Sequence, residues 1–229
     1  AFRPRREAVI VAGTPIHQTQ PVFTAGAALS DAQAAAVLLH GRGGTAQDIL
    51  ALAEVLPQEG IAYLAPQAAG QTWYPNSGFI PVEANEPYVS SAFETVAGLL
   101  ARIADAGIPA ERVALGGFSQ GACLAAEFVA RHPRRYGGLF VLSGALLGPV
   151  DSPRDYPGSL DGTPVYVGGA NRDSWVTEDQ LRLTARVLGD LGAAVQVEVR
   201  QDSAHTIRQT EIAQVSALVA GLLERGTVV

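Results

Sequence analysis

Only one cysteine, Cys123, occurs in the 229 residues, which excludes an intramolecular disulfide and leaves nothing that calls for an oxidising compartment. The first residues lack the apolar stretch of a signal peptide, and no apolar run approaches the roughly 20 residues that span a bilayer. The expected location is therefore the cytoplasm, without integral membrane association, although a leader already removed would leave no trace. Positive charge is also scarce: 16 Lys and Arg stand against 22 Asp and Glu, for a formal charge of -6. That balance repels polyphosphate and excludes nucleic acid as an expected partner. The one basic grouping, Arg3, Arg5 and Arg6, is interrupted by Pro4 and followed by Glu7, so residues 1–7 read as a flexible, solvated tail. Signatures of bound groups are missing as well. No His or Cys spacing matches a zinc site, and neither G-x-x-x-x-G-K nor G-x-G-x-x-G lies in a nucleotide-binding context. Neither metal nor cofactor is expected.

What the chain does have is apolar substance: 48% of its residues are hydrophobic, enough at this length for one sizeable core and a single domain over residues 1–229. Two short β-favouring runs, 8–12 and 20–24, flank Gly13 and Pro15 and predict an antiparallel N-terminal hairpin at a sheet edge. From residue 36 onward, buried-type runs at 36–39, 61–65, 112–115, 139–142, 164–167 and 195–199 alternate with segments of helical period. That alternation predicts an α/β fold, a mostly parallel central sheet with helices on both faces. Thr45 with Asp48 opens one helix, which Pro57 and Gly60 close. Val89, Phe93, Val96, Leu100 and Ile103 mark the buried stripe of another, ending at Gly107. Thr177 with Gln180, and Thr206 with Gln209, predict capping boxes for the last two helices. Residues 68–87 and 148–162 are longer than ordinary connections and are candidates to frame a cleft.

The chemistry gathers around Gly117, Phe118, Ser119, Gln120 and Gly121, a G-x-S-x-G placed between a strand and a helical run. In that context a serine stands on a tight turn above the sheet, and small flanking residues let strand and helix approach; this is the nucleophile elbow of α/β-hydrolases. An ordinary glycine-rich βα turn would carry the same letters, so the remaining parts matter. A serine hydroxyl needs a base, and the base an orienting group. Of the four histidines, His17 falls in the predicted hairpin, His40 ends a strand and His132 ends a helix. His205 alone lies between the last strand and the last helix, at the carboxyl edge of the sheet. For the acid, Asp173 follows the strand at 164–167 by a short turn. Glu178 and Asp179 are explained by a helix N-terminus, while Asp151, Asp155 and Asp161 remain rivals in the long loop. Oxyanion donors are expected from the amide of Gln120 and from the glycine-rich turn of His40, Gly41, Arg42, Gly43 and Gly44. Cys123 reads as a small buried hydrophobe.

With these residues assembled, the chain resembles the phospholipase/carboxylesterase family of α/β-hydrolases, which includes acyl-protein thioesterases and small bacterial carboxylesterases. The resemblance is carried by residues 38–44 (LLHGRGG), 65–67 (APQ), 72–76 (TWYPN) and 116–122 (GGFSQGA), and by the late Asp173 and His205. It implies hydrolysis of carboxylic esters or thioesters through Ser119, His205 and Asp173, with the oxyanion held by the backbone amides of Arg42 and Gln120. It further implies that Trp73 and Tyr74 line the substrate pocket, that the partner is a small-molecule or lipid ester, and that the assembly is a homodimer. The pattern is not followed everywhere. Ala122 and Ala204 stand where glycines are common, and Ser174 and Trp175 follow the acid, which puts substrate shape in question. Dienelactone hydrolases are similar but use a cysteine where this chain has Ser119. Two other readings keep the same residues: transfer of the acyl group to an alcohol or peroxide, and a silent binding protein on the same fold.

Overall fold

The computed structural model describes residues 15–224. Seven strands form one sheet: β1 (Val22–Gly26), β2 (Ala34–Leu39), β3 (Ile61–Pro66), β4 (Val113–Phe118), β5 (Gly138–Leu142), β6 (Pro164–Ala170) and β7 (Ala194–Arg200). Their spatial order is β1-β3-β2-β4-β5-β6-β7, parallel except for β1, which runs antiparallel to β3. All six predicted parallel strands are present, each within a few residues of its expected limits. Residues 20–24 do enter an antiparallel edge strand, but among the described residues its partner is β3. The other arm, 8–12, and the tail, 1–7, lie outside the described residues.

Helices α1 (Ala46–Leu50), α2 (Tyr88–Asp105), α3 (Gln120–Arg131), α4 (Glu178–Asp190) and α5 (Gln209–Glu224) connect the strands. Side chains alternate across a strand, and β2 sorts its residues accordingly. Ala35, Val37 and Leu39 pack in one core with α2, α3 and α4, while Ala34, Ala36 and Leu38 pack in the other with α1 and α5. Burial on both faces explains why the inner strands β2 to β6 are largely continuous apolar runs rather than alternating ones, while β7 at the edge, AVQVEVR, is half-exposed. Among the described residues no helix is long and apolar enough to cross a membrane.

The capping boxes at Thr45 and Thr177 are formed as expected. The helix after Thr45 is shorter than predicted, giving way at residue 51 to a 3-10 segment, Ala51–Glu54. The box at Thr206 is not formed, because α5 begins only at Gln209. In its place the Arg208 amide donates to the Glu211 carboxylate at 2.8 Å. The residues between β7 and α5 stay non-helical, and the Arg200 guanidinium donates to the carbonyls of Ala204 and Thr206, at 3.1 and 3.4 Å.

Candidate active site

β4 delivers Ser119 to the carboxyl edge of the sheet, directly before the first turn of α3. The serine has φ 53° and ψ −118°, a conformation that costs a non-glycine residue about 1–3 kcal/mol and persists only where packing enforces it. Enforcement comes from both sides. The Ser119 amide donates to Leu142 O at 2.9 Å, and its carbonyl accepts from the Cys123 amide at 3.0 Å. A Cβ at Gly117 or at Gly121 would stand 2.2 Å from Leu39 O, so both motif glycines are required for β4 and α3 to close on the end of β2.

His205 sits in the loop after β7, with Nε2 2.8 Å from Ser119 Oγ and Nδ1 2.6 Å from Asp173 Oδ2. Asp173 lies in the turn after β6 and is 6% exposed. Its other oxygen accepts from the amides of Trp175 and Val176, at 2.8 and 3.4 Å. A carboxylate so placed can only accept, which puts the imidazole proton on Nδ1 and leaves Nε2 free to take the serine proton. The two loops are also stitched to each other: Asn171 N–H donates to Arg200 O and Arg172 N–H to Asp202 O, at 2.9 and 3.1 Å. Of the rival acids, Glu178 and Asp179 occupy the first turn of α4.

Gly41 lets the turn after β2 approach the elbow; a Cβ there would be 3.2 Å from the Phe118 ring and 3.4 Å from Ser119 Cβ. Arg42, Ser119 and Gln120 line the same cleft, and the Gln120 amide, at the first residue of α3, has no acceptor in its own helix. Two roles here escaped the sequence reading. The Arg42 side chain donates to Pro75 O at 2.9 Å and Asn76 O at 2.5 Å, bracing the cleft wall. The Gln120 side chain accepts from Trp73 N–H and donates to Tyr74 O, both at 2.8 Å. Nothing in a one-dimensional pattern pairs residues 42 and 120 with a loop 33 to 48 positions away.

The cleft over Ser119 encloses about 490 Å³ and is walled by Tyr74, Phe79, Phe118, Trp175 and Val176. Tyr74 thus lies where the resemblance placed it. Trp73 does not: it is fully buried behind the wall, its indole N–H donates to His40 O at 2.9 Å, and its ring lies between His17 and His40 at 5.3 and 5.1 Å. Both flanking histidines are neutral acceptors. His40 Nε2 accepts from the Ala68 amide and His17 Nδ1 from the Ala69 amide, each at 3.1 Å, and burial lowers the pKa of both. Cys123 touches the cleft floor but is 3% exposed, and burial pushes its thiol up to about 11, in keeping with an inert hydrophobe.

Loop 68–87 frames the cleft as expected, but loop 148–162 does not. It closes over a separate cavity, where the carboxylate of buried Glu127 accepts from the Leu147 amide and the Tyr156 hydroxyl, and Arg154 donates to the carbonyls of Leu147, Gly148 and Pro149. This loop follows β5 and is held to α3 by the carboxylate on that helix.

Comparison with known proteins bears on the family and the fold. The phospholipase/carboxylesterase family model matches residues 26–222. Acyl-protein thioesterase 1 of Candida albicans is 27% identical over 221 residues, covering 86% of this chain and 95% of the fungal protein. A phospholipase/carboxylesterase structure from Dyadobacter fermentans superposes with a TM-score of 0.85 at 38% identity, over 89% of this chain and 97% of that one. The Bacillus cereus carboxylesterase, 17% identical with a TM-score of 0.72, covers 89% of this chain and 95% of its own, and shares the fold.

Proposed function

The chain belongs to the phospholipase/carboxylesterase family and is a hydrolase of the ester- and thioester-cleaving kind; on that premise we propose that Ser119 is its nucleophile, His205 the general base and Asp173 the group that orients the base. The observation that carries this reading is the continuous hydrogen-bonded relay from Asp173 Oδ2 through His205 to Ser119 Oγ, at 2.6 and 2.8 Å.

In the proposed reaction Ser119 Oγ attacks the acyl carbonyl while His205 Nε2 takes its proton. The oxyanion of the tetrahedral intermediate is held by the amides of Arg42 and Gln120, donors of a kind whose deletion costs about 3–4 kcal/mol of transition-state stabilisation. As the intermediate collapses, the bond from carbon to the alcohol or thiol breaks, and His205 passes its proton to the leaving atom. Water, deprotonated by the same imidazole, then attacks the acyl-serine; the acid departs and Ser119 regains its hydrogen. Asp173 stabilises the imidazolium in both halves. Apolar walls of this volume suit an uncharged carboxylic ester.

Hydrolysis of p-nitrophenyl acetate, butyrate and octanoate by the wild type and by Ser119→Ala tests the reading. Turnover by the wild type and its loss in the variant is the expected result, and the chain-length profile measures the acyl side of the cleft. Equal rates in the two proteins would remove Ser119 from the mechanism.

A further inference from the structure

Trp175 is the largest hydrophobic side chain left open to solvent among the described residues, 70% exposed, in a chain whose other tryptophan is fully buried. It is not a loose surface residue. Its amide is held at 2.8 Å by Asp173 Oδ1, the oxygen not engaged by His205, so the acid that orients the imidazole also sets the start of the indole side chain. The indole centroid lies 6.5 Å from the His205 ring, and Phe118 flanks the same imidazole at 4.9 Å. Trp175 and Val176 are the part of the cleft wall contributed by the acid loop.

The proposed reaction gives this position a meaning. His205 Nε2 must lie within hydrogen-bond reach of the leaving oxygen to protonate it, so the alcohol portion of the ester departs beside His205, where the exposed indole stands. A large apolar ring held open to water next to that atom offers a flat surface that is covered only when a ligand is present. Aromatic groups meet such a ring by offset stacking or edge-on contact with more specificity than an alkyl chain. The cleft lining among the described residues has a single charged side chain, Arg42, and its guanidinium is turned to the carbonyls of Pro75 and Asn76. We propose that Trp175 forms the leaving-group subsite and selects esters whose alcohol carries an aromatic ring. This inference rests on the hydrolase reading above and adds the substrate class to it.

Benzyl and ethyl butyrate provide the test, because both pass through the same butyryl-serine and differ only in the alcohol. kcat/KM is measured for each ester with the wild type, Trp175→Ala, Trp175→Phe and Ser119→Ala. The exposed position of the side chain allows both tryptophan variants to fold. The expected result is a benzyl-to-ethyl ratio well above one in the wild type, an about tenfold fall in that ratio for Trp175→Ala, and a ratio near the wild-type value for Trp175→Phe. If Ser119→Ala abolishes turnover of both esters while Trp175→Ala leaves the ratio unchanged, the hydrolase reading stands and the subsite is overturned. If Ser119→Ala matches the wild type, or the wild type cleaves neither ester, the proposed mechanism fails and the subsite with it.

Discussion

Arg200 and Glu211 meet in an ion pair of 2.5 Å beneath the loop that carries His205. Glu211 is fully buried and Arg200 is 10% exposed at its side chain. The same guanidinium grips the carbonyls on either side of His205, and the Arg200 carbonyl accepts from the loop that leads to Asp173. One residue, through its side chain and its carbonyl, thus ties the His205 loop, the loop that leads to Asp173 and the start of α5 together.

Loss of that guanidinium is expected to matter most at neutral to alkaline pH. Burial raises the pKa of Glu211, against the opposing pull of the Arg208 amide and the Arg200 charge. A carboxyl whose folded pKa is raised contributes stability that is complete below its unfolded value and is lost as pH rises through the folded one. Arg200→Gln removes an opposing charge, so the variant should lose about 3–5 kcal/mol at pH 8, where Glu211 would be ionised and unpaired. The loss should be smaller at pH 5, where the carboxyl can take up a proton. Urea unfolding of both proteins at the two pH values measures the difference. A parallel fall in kcat of about ten- to a hundredfold is expected as the imidazole is displaced.

Asp173→Asn is expected to preserve the fold and lower kcat by about 10⁴-fold with little change in KM. An amide in this place can donate to Nδ1, which moves the imidazole proton to Nε2 and leaves no acceptor for Ser119. Steady-state kinetics on p-nitrophenyl butyrate reads the split. A comparable rise in KM would point instead to a collapsed cleft.

Two glycines in helices should respond in opposite directions to alanine. Gly121→Ala drives a methyl to within 2.2 Å of Leu39 O, a backbone atom in the centre of the sheet, and should destabilise by about 3 kcal/mol or more. Gly98 is exposed on α2 with open space around it, so Gly98→Ala should stabilise by about 0.4–1 kcal/mol through helix propensity and the unfolded chain. Thermal unfolding of the pair tests whether packing or propensity governs each site.

The histidines around Trp73 predict an acid-side loss of stability. Burial is the main cause lowering the pKa of both His17 and His40 from 6.5, and in His17 the neighbouring His40 adds to it. A group with a lowered folded pKa contributes stability that is complete above its unfolded value and declines as pH falls toward the folded one. The window therefore opens at about pH 6.5 and extends downward. Tm measured from pH 8 to pH 5 should drop in the wild type, and the slope should flatten in His17→Gln and in His40→Gln. An unchanged slope in both variants would assign the acid loss to other groups.

Much of the framework is legible in the sequence. β2 to β6 are buried on both faces, so their sequences are largely apolar runs, whereas the edge strand β7 alternates with Gln196 and Glu198; the capping boxes at Thr45 and Thr177 are local patterns read three residues at a time. Ser119, Asp173 and His205 were locatable because each follows a strand, and all strand ends of one direction share an edge of a parallel sheet. The failures are equally physical. Thr206 with Gln209 has the letters of a capping box, yet α5 begins only at Gln209 and the Thr206 carbonyl accepts from Arg200. The antiparallel pairing of β1 with β3, some 40 positions on, had no local signal either.

Order along the chain, burial of strands and the residue types able to do acyl chemistry are properties of local composition and spacing, and these were settled by the amino-acid sequence. Which of Trp73 and Tyr74 faces the cleft, which long loop forms its wall, and that Trp175 stands open beside His205 were settled only by the tertiary structure. Each depends on side chains distant along the chain: Gln120 and Arg42 gripping the wall, Glu127 holding loop 148–162 to α3, and Asp173 anchoring the amide of Trp175. Hydrogen bonds of that kind have no period and no motif, and exist only once the sheet has brought its strand ends together.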